Sequence, residues 1–283
     1  MILRKVRQHI GKFLWNSNRE TVAFCRAQYE LLRIQKRKDS PTAIAGYGYK
    51  VFSQSDEDGI INEIFKRIGY KSKIFVEFGV GDGLENNTAS LLYQSWTGLW
   101  IEGSVQFCTQ IKLAYKKALE KKQLVLVNDF VTPENIDQII SDKIKVEEID
   151  LLSVDIDGND VHVFEQITCI SPRVIVFEYN AKFGPSIDYC MRYDEDYVWQ
   201  KSDRFSASLK HLEKLMMKRG YALVGCNLVG TNAFFVRSDL ISENFEGPFT
   251  SEHHFEPARY ELVGLPSGHP CSVNTFETNQ IGN

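Results

Sequence analysis

Residues 73–104 read KIFVEFGVGDGLENNTASLLYQSWTGLWIEGS. Ile74, Phe75 and Val76 make a short apolar run, the pattern of a strand buried on both faces. The run ends on Glu77 and enters Phe78-Gly79-Val80-Gly81-Asp82-Gly83, an acidic residue followed by Gly-x-Gly-x-Gly. Glycines here permit positive φ and let the backbone come close to a ligand. A helical pattern starts near Thr88 with Ala89, Leu91 and Leu92, and a second strand, Gly98-Leu99-Trp100-Ile101, ends on Glu102. The stretch is therefore a β-loop-α-β unit. Its second strand carries a carboxylate at its tip, about 20 residues past the last glycine, placed to accept hydrogen bonds from two ribose hydroxyls. The plain alternative is a tight βα turn of any α/β protein.

At 283 residues, 43% apolar and 25% charged, the chain suits one α/β domain with appendages. No window approaches the continuous apolar run of a membrane span. The basic N-terminus lacks the apolar core and cleavage site of a secretory signal. Cys25, Cys108, Cys169, Cys190, Cys226 and Cys271 have no metal-binding spacing and read as reduced thiols of a cytoplasmic protein. The net charge of −4 hides an asymmetry: residues 1–38 hold ten Lys/Arg against Glu20 and Glu30, which is +8 and leaves −12 on the remainder. An enzyme that binds a polyanion carries its positive charge around the site, so no nucleic-acid partner is expected.

Val6, Ile10, Phe13 and Leu14 fall at helical spacing. After Asn16-Ser17-Asn18 a second helix is expected, with Val22, Cys25, Tyr29 and Leu32 as its stripe, stopped at Ser40-Pro41. This basic extension, residues 1–45, has two readings: an arm in peripheral contact with anionic lipid, or a helix pair packed on the core. Residues 46–241 form the main domain, and 242–283 a C-terminal extension placed to cover the site. Ser55 and Asp58 have capping-box spacing before an apolar helix through Ile60, Ile61, Ile64 and Ile68. Residues 105–122 read as helical. Three more strands follow: Leu124-Val125-Leu126-Val127 before Asn128-Asp129, residues 149–154 before Asp155-Ile156-Asp157-Gly158, and residues 173–177 before Glu178-Tyr179-Asn180. An amphipathic helix over 208–220 leads into two strands, 221–226 and 232–236, joined across Gly230. A pair this close must be antiparallel, because parallel neighbours need a crossover. The expected architecture is α/β: a Rossmann-like sheet, mostly parallel, closed by an antiparallel hairpin strand, with helices on both faces.

The segment Glu77-x-Gly79-x-Gly81-x-Gly83 resembles motif I of class I S-adenosylmethionine-dependent methyltransferases. More narrowly, the chain resembles the FkbM-type methyltransferases. The resemblance rests on residues 76–83, Val154-Asp155-Ile156-Asp157-Gly158, Phe177-Glu178-Tyr179-Asn180 and Gly230-Thr231-Asn232-Ala233-Phe234-Phe235-Val236-Arg237, and spans roughly residues 50–240. It implies S-adenosylmethionine as cofactor and methyl transfer to oxygen, with a sugar or glycoside hydroxyl as acceptor. It also implies that Glu77, Gly79, Gly81, Gly83 and Glu102 hold the cofactor. Asp129 would sit by the adenine, against a capping role before Pro133, and Gln54 would face the cofactor end of the sheet.

Carboxyl ends of neighbouring parallel strands converge on one crevice. Glu77, Glu102, Asp129, Asp155, Asp157, Glu178 and Asn180 are thereby expected around one pocket. A hydroxyl is a poor nucleophile at neutral pH and needs a base or a metal. Asp155, Asp157 and Glu178 are the catalytic candidates. Asp157, Glu178 and Asn180 offer oxygen ligands suited to Mg²⁺, and resemble the fourth-strand Asp and fifth-strand Asp-Asn pair of metal-dependent O-methyltransferases. Tyr179 interrupts that pair, although i, i+2 spacing puts Glu178 and Asn180 on one side of a strand. The alternatives to a metal are a carboxylate base, a base among His162, His253, His254 and His269, or purely structural carboxylates. A nicotinamide-dependent oxidoreductase is disfavoured by the glycine spacing and the closing hairpin. A nucleic-acid methyltransferase is disfavoured by the acidic fourth-strand tip. An inactive binding scaffold is disfavoured by the intact glycine loop and the Glu102 carboxylate.

Overall fold

Seven strands make one sheet: β1 (Ile74–Phe78), β2 (Thr97–Glu102), β3 (Leu124–Asn128), β4 (Glu148–Val154), β5 (Ser171–Glu178), β6 (Tyr221–Cys226) and β7 (Asn232–Arg237). The computed structural model describes residues 2–200 and 202–263, with side chains from residue 20 to 262. His269, Cys271 and the rest of residues 264–283 lie outside the described residues. The strand order is β3-β2-β1-β4-β5-β7-β6. The first five strands are parallel, and β7 runs antiparallel to both β5 and β6. The order reverses between β1 and β4, so the crevice beyond their carboxyl ends is the expected ligand position.

The helices are α1 (Ile2–Asp39), α2 (Glu57–Ile68), α3 (Ala89–Leu92), α4 (Val105–Ala114), α5 (Lys116–Glu120), α6 (Ile136–Lys143), α7 (Asp160–Glu165), α8 (Leu209–Lys218) and α9 (Ser251–His254). Alternation along each strand splits the core into two layers. Val76, Phe78, Leu152, Val154, Ile175 and Phe177 pack with α6, α7 and α8 residues such as Ile140, Phe164 and Leu212. Phe75, Trp100, Leu151, Val174 and Val176 pack with Ile60, Ile64, Leu91 and Ile111 from α2, α3 and α4 on the other face. Both faces are covered, which is why these strands read as continuous apolar runs.

Three local expectations are corrected. Asn16-Ser17-Asn18 does not interrupt α1, which is one helix; Asn and Ser are weak helix formers but not breakers. Residues 105–122 form two helices instead of one. They meet at Tyr115, whose hydroxyl donates to Gly83 O at 2.6 Å and whose ring stands edge-on to Trp100. The capping reciprocity before α2 uses Ser53 instead of Ser55. Asp58 N donates to Ser53 Oγ, while Asp58 Oδ2 accepts from the backbone N–H groups of Val51, Phe52 and Ser53.

The C-terminal half of α1 is tied to the domain by polar contacts: Tyr29 Oη donates to Asp56 at 2.8 Å, and Lys36 pairs with Glu256 at 3.0 Å. Among the described residues no helix is long and apolar enough to cross a membrane. At the amino ends of the strands, fully buried Asp150 accepts from the backbone of Lys71, Ser72 and Lys73 and pairs with Arg173 at 2.7 Å. Asp150→Ala would leave three amides without an acceptor and the Arg173 guanidinium without its counter-charge, held only by the Ile68 and Gly69 carbonyls. The expected loss is about 3–5 kcal/mol in denaturant unfolding, with cofactor affinity of the folded protein unchanged, since this end lies opposite the crevice.

Candidate active site

The turn after β1 is built from glycines that each have a different physical reason. Gly79 has φ +81°, and a Cβ there would lie 1.6 Å from the Asp155 carbonyl oxygen, so the turn is pressed directly against the tip of β4. Gly81 has φ +57° but nothing within 4 Å of an added Cβ, so it borders open space. Gly83 (φ +78°) packs under Trp100, Ile111 and Tyr115.

Two carboxylates fix this loop. Glu102, 9% exposed at the tip of β2, accepts from Gly81 N at 2.9 Å through one oxygen and from Ser104 N at 2.8 Å through the other. Burial raises its pKa. Each oxygen keeps accepting capacity for a further donor. Glu77 points into the protein instead. It accepts from Asn87 N, Thr88 Oγ1 and Ser153 Oγ, with Trp100 Nε1 donating to Thr88 Oγ1 behind them. Burial pushes its pKa up to about 6 against the opposing effect of these hydrogen bonds. Glu77 thus closes the glycine loop onto its own strand. Asp129 is exposed just past β3, and its backbone N–H donates to Glu102 O at 3.2 Å. It caps no helix, because α6 begins after Asn135. Beside it Phe130, 74% exposed, lies over Gly103, an exposed aromatic face that belongs to no periodic pattern.

The tips of β4 and β5 bring Asp155, Asp157 and Glu178 together, with one carboxylate oxygen from each within 4.8 Å of the others. All three are partly buried. Burial, then the charges of Asp157 and Asp160, hold Asp155 well above the usual carboxylate range, and burial with Asp155 and Asp157 does the same to Glu178. Asp157 is pushed up to about 6 by burial and by Asp160. Asp157 also sits at φ +56°, a left-handed conformation that Asp tolerates better than most side chains. Buried Asp160 holds that bend by accepting from Ile156 N and Gly158 N at 2.7 and 2.8 Å. Glu178 Oε2 is buried without a hydrogen-bond partner.

Asn180 is turned to other work. Its amide donates to Asp203 O at 2.7 Å, and its oxygen accepts from Lys182 N. β5 ends at Glu178, so strand alternation does not carry on to Asn180. The candidate histidines gather elsewhere: His162 bonds Met191 O, while His253 and His254 stand with Glu246. His269 lies outside the described residues. Gln54 is exposed, and its carbonyl accepts from Lys50 Nζ.

Residues 179–208 carry no helix or strand among those described, apart from the isolated bridge of Cys190 with Ala207. A connection this long in a compact domain is usually functional. Ser206 ties it to both strand tips, its N–H donating to Gly158 O and its hydroxyl to Glu178 O. Tyr197 packs on Gly158, and buried Tyr260 stands within electrostatic reach of Glu178. On the other side, buried Glu57 accepts from Ser55, Asn227 and Asn232, so the Thr231-Asn232 motif fastens the closing hairpin to the start of α2.

Residues 86–223 match the family described as Methyltransferase FkbM domain. The chain carries an FkbM methyltransferase domain. The match contains Glu102, Asp155, Asp157 and Glu178, and begins just after the glycine turn. Several solved structures are similar to this methyltransferase. A putative caffeoyl-CoA O-methyltransferase from Staphylococcus aureus aligns with TM-score 0.45 and 13% identity over 72% of this chain and 91% of its own. A putative O-methyltransferase from Klebsiella pneumoniae aligns with TM-score 0.44 and 12% identity over 74% and 96%. An O-methyltransferase from Bacillus cereus in complex with SAH aligns with TM-score 0.44 and 14% identity over 74% and 89%. No curated protein matches the chain.

Proposed function

We propose that this methyltransferase binds S-adenosylmethionine over the Gly81 backbone and the Glu102 carboxylate, and directs methyl transfer to a hydroxyl oxygen of a neutral acceptor, a sugar or glycoside. The observation that carries the reading is the Asp155–Asp157–Glu178 cluster lying directly against the glycine turn.

The residues fit such a cofactor. Gly81 leaves its backbone uncovered where a larger residue would fill the space, and Glu102 presents two oxygens at the tip of β2. Bound there, a sulfonium supplies an electrophilic methyl group. The chain has to align the acceptor, exclude water and take up its proton. Three carboxyls this close share protons and titrate as a unit. Burial and mutual repulsion hold all three above the usual carboxylate range, and Asp157, pushed up to about 6, is the member assigned to accept the hydroxyl proton. A cluster of carboxyl groups accepts hydrogen bonds from hydroxyls and repels phosphate or carboxylate, which favours an uncharged polyol.

The same three carboxylates are hard oxygen donors, so Mg²⁺ held by Asp155, Asp157 and Glu178 is the second reading. Asn180 is left out of that set because its amide is committed to backbone groups. Activity abolished by a chelator and restored by Mg²⁺ would favour the metal; indifference would favour the protein base.

Calorimetry with S-adenosylhomocysteine tests the cofactor assignment. Binding in the micromolar range is expected, with a raised melting temperature, since a ligand taken only by the native state stabilises it. Glu102→Ala should weaken binding about 10- to 100-fold by removing charge-assisted hydrogen bonds. Binding of NAD with none of S-adenosylhomocysteine would overturn the reading.

A further inference from the structure

A second cluster lies at the β6 edge of the sheet, and methyl transfer makes no use of it. Glu246, His253 and His254 bring a carboxylate oxygen and two imidazole nitrogens within 4.8 Å of one another. Glu246 Oε1 is 3.6 Å from His253 Nε2. That is close to the spacing of two ligands on one tetrahedral ion with bonds of about 2.0–2.2 Å. The His253 and His254 rings stand 4.7 Å apart and nearly perpendicular, at 84°.

His254 is the informative member. It is 5% exposed, and its Nε2 is buried with no hydrogen-bond partner. An orphaned buried nitrogen calls for an occupant. The residue borders a small cavity, with room for about one water-sized body, whose walls include Lys36, Ile44, Cys226, Glu246 and Glu256. Lys36 itself is countered by Glu256 at 3.0 Å.

We propose that Glu246, His253 and His254 bind one divalent transition-metal ion, Zn²⁺ by ligand chemistry, which pins α9 against the sheet edge and α1. Two imidazoles and one carboxylate favour Zn²⁺ over Mg²⁺, and three protein ligands leave a fourth position for water in the cavity. The ion would anchor the segment that leads to Tyr260 beside Glu178.

The test is Zn²⁺ titration of the full chain, stripped with a chelator, by calorimetry and thermal melting, with Mg²⁺ as control. One Zn²⁺ per chain at micromolar affinity or tighter is expected, with a raised melting temperature and no response to Mg²⁺. His254→Gln and Glu246→Gln should each weaken binding about tenfold or more and abolish the thermal shift. Glu246 is only partly buried, so its variant keeps the test decisive should His254→Gln fail to fold. Absence of stoichiometric binding, affinity unchanged in Glu246→Gln, or loss only in Asp157→Asn would overturn the proposal.

Discussion

Asp157→Asn is expected to lower turnover by about 10²–10⁴-fold while leaving S-adenosylhomocysteine affinity and melting temperature nearly unchanged. The substitution is chosen for its conformation as well as its charge. Asn tolerates the left-handed region as Asp does, so the φ of +56° is no obstacle and the bend held by Asp160 should persist. What disappears is the group that ionises with a pKa of about 6. Turnover in the parent enzyme should therefore climb as pH rises through about 6 and level off above it, and Asp157→Asn should lose that limb. The stability term has the opposite sign. A carboxyl whose folded pKa is raised contributes stability at low pH that is lost as pH rises through the folded value. The Asn variant should thus be no less stable than the parent at pH 8. Glu178→Gln should act on turnover in the same direction, and the double variant should be no worse than the poorer single, because residues acting as a unit are not additive. Near-normal turnover in both single variants on a verified acceptor would make these carboxylates structural.

The parts of this molecule that could be read in advance share one property: their physics is local. A strand covered on both faces must be an apolar run, so Phe75-Val76 and Val174-Ile175-Val176 were visible, and the short loop across Gly230 dictated antiparallel pairing. Those strands end where carboxylates begin, which put Asp155, Asp157 and Glu178 at one crevice. What was not legible depended on partners distant in the chain. Asn180 looked like a neighbour of Glu178 on one strand face, but buried Tyr179 donates to the Glu256 carbonyl, 77 residues on, and Asn180 turns to Asp203 and Lys182. Glu77 read as a cofactor ligand because an acidic residue precedes the glycines. In the fold it accepts from Asn87, Thr88 and Ser153, from a returning loop and from β4, contacts that the glycine spacing does not signal. Glu57 and Asp160 carry no assignable role in the sequence, since a carboxylate that fastens a loop has no spacing of its own. Each is fully buried and hydrogen-bonded to backbone or to side chains of other segments.

Gly79→Ala and Gly81→Ala, two residues apart, are expected to fail in different ways. At Gly79 an added methyl would sit 1.6 Å from the Asp155 carbonyl oxygen and 2.7 Å from its carbon. These are backbone atoms of β4 and cannot swing aside as a flexible side chain would. With the cost of a left-handed alanine added, the loss should be about 2–5 kcal/mol, a large share of an ordinary domain's stability. Denaturant unfolding should show it with or without cofactor. Gly81 meets nothing within 4 Å, so Gly81→Ala should cost only the conformational term, about 1–2 kcal/mol. Its methyl would instead project into the space assigned to the cofactor, beside the amide held by Glu102. S-adenosylhomocysteine affinity should fall about tenfold or more, a loss of about 1.4 kcal/mol or greater, in a protein that still melts cooperatively. Unfolding and calorimetry on the same two preparations separate the cases. A Gly81→Ala protein that binds S-adenosylhomocysteine as tightly as the parent would move the cofactor off this loop. A Gly79→Ala protein with parental stability would mean that the turn does not press on β4, and the carboxylate cluster would lose the contact that sets it against the glycines.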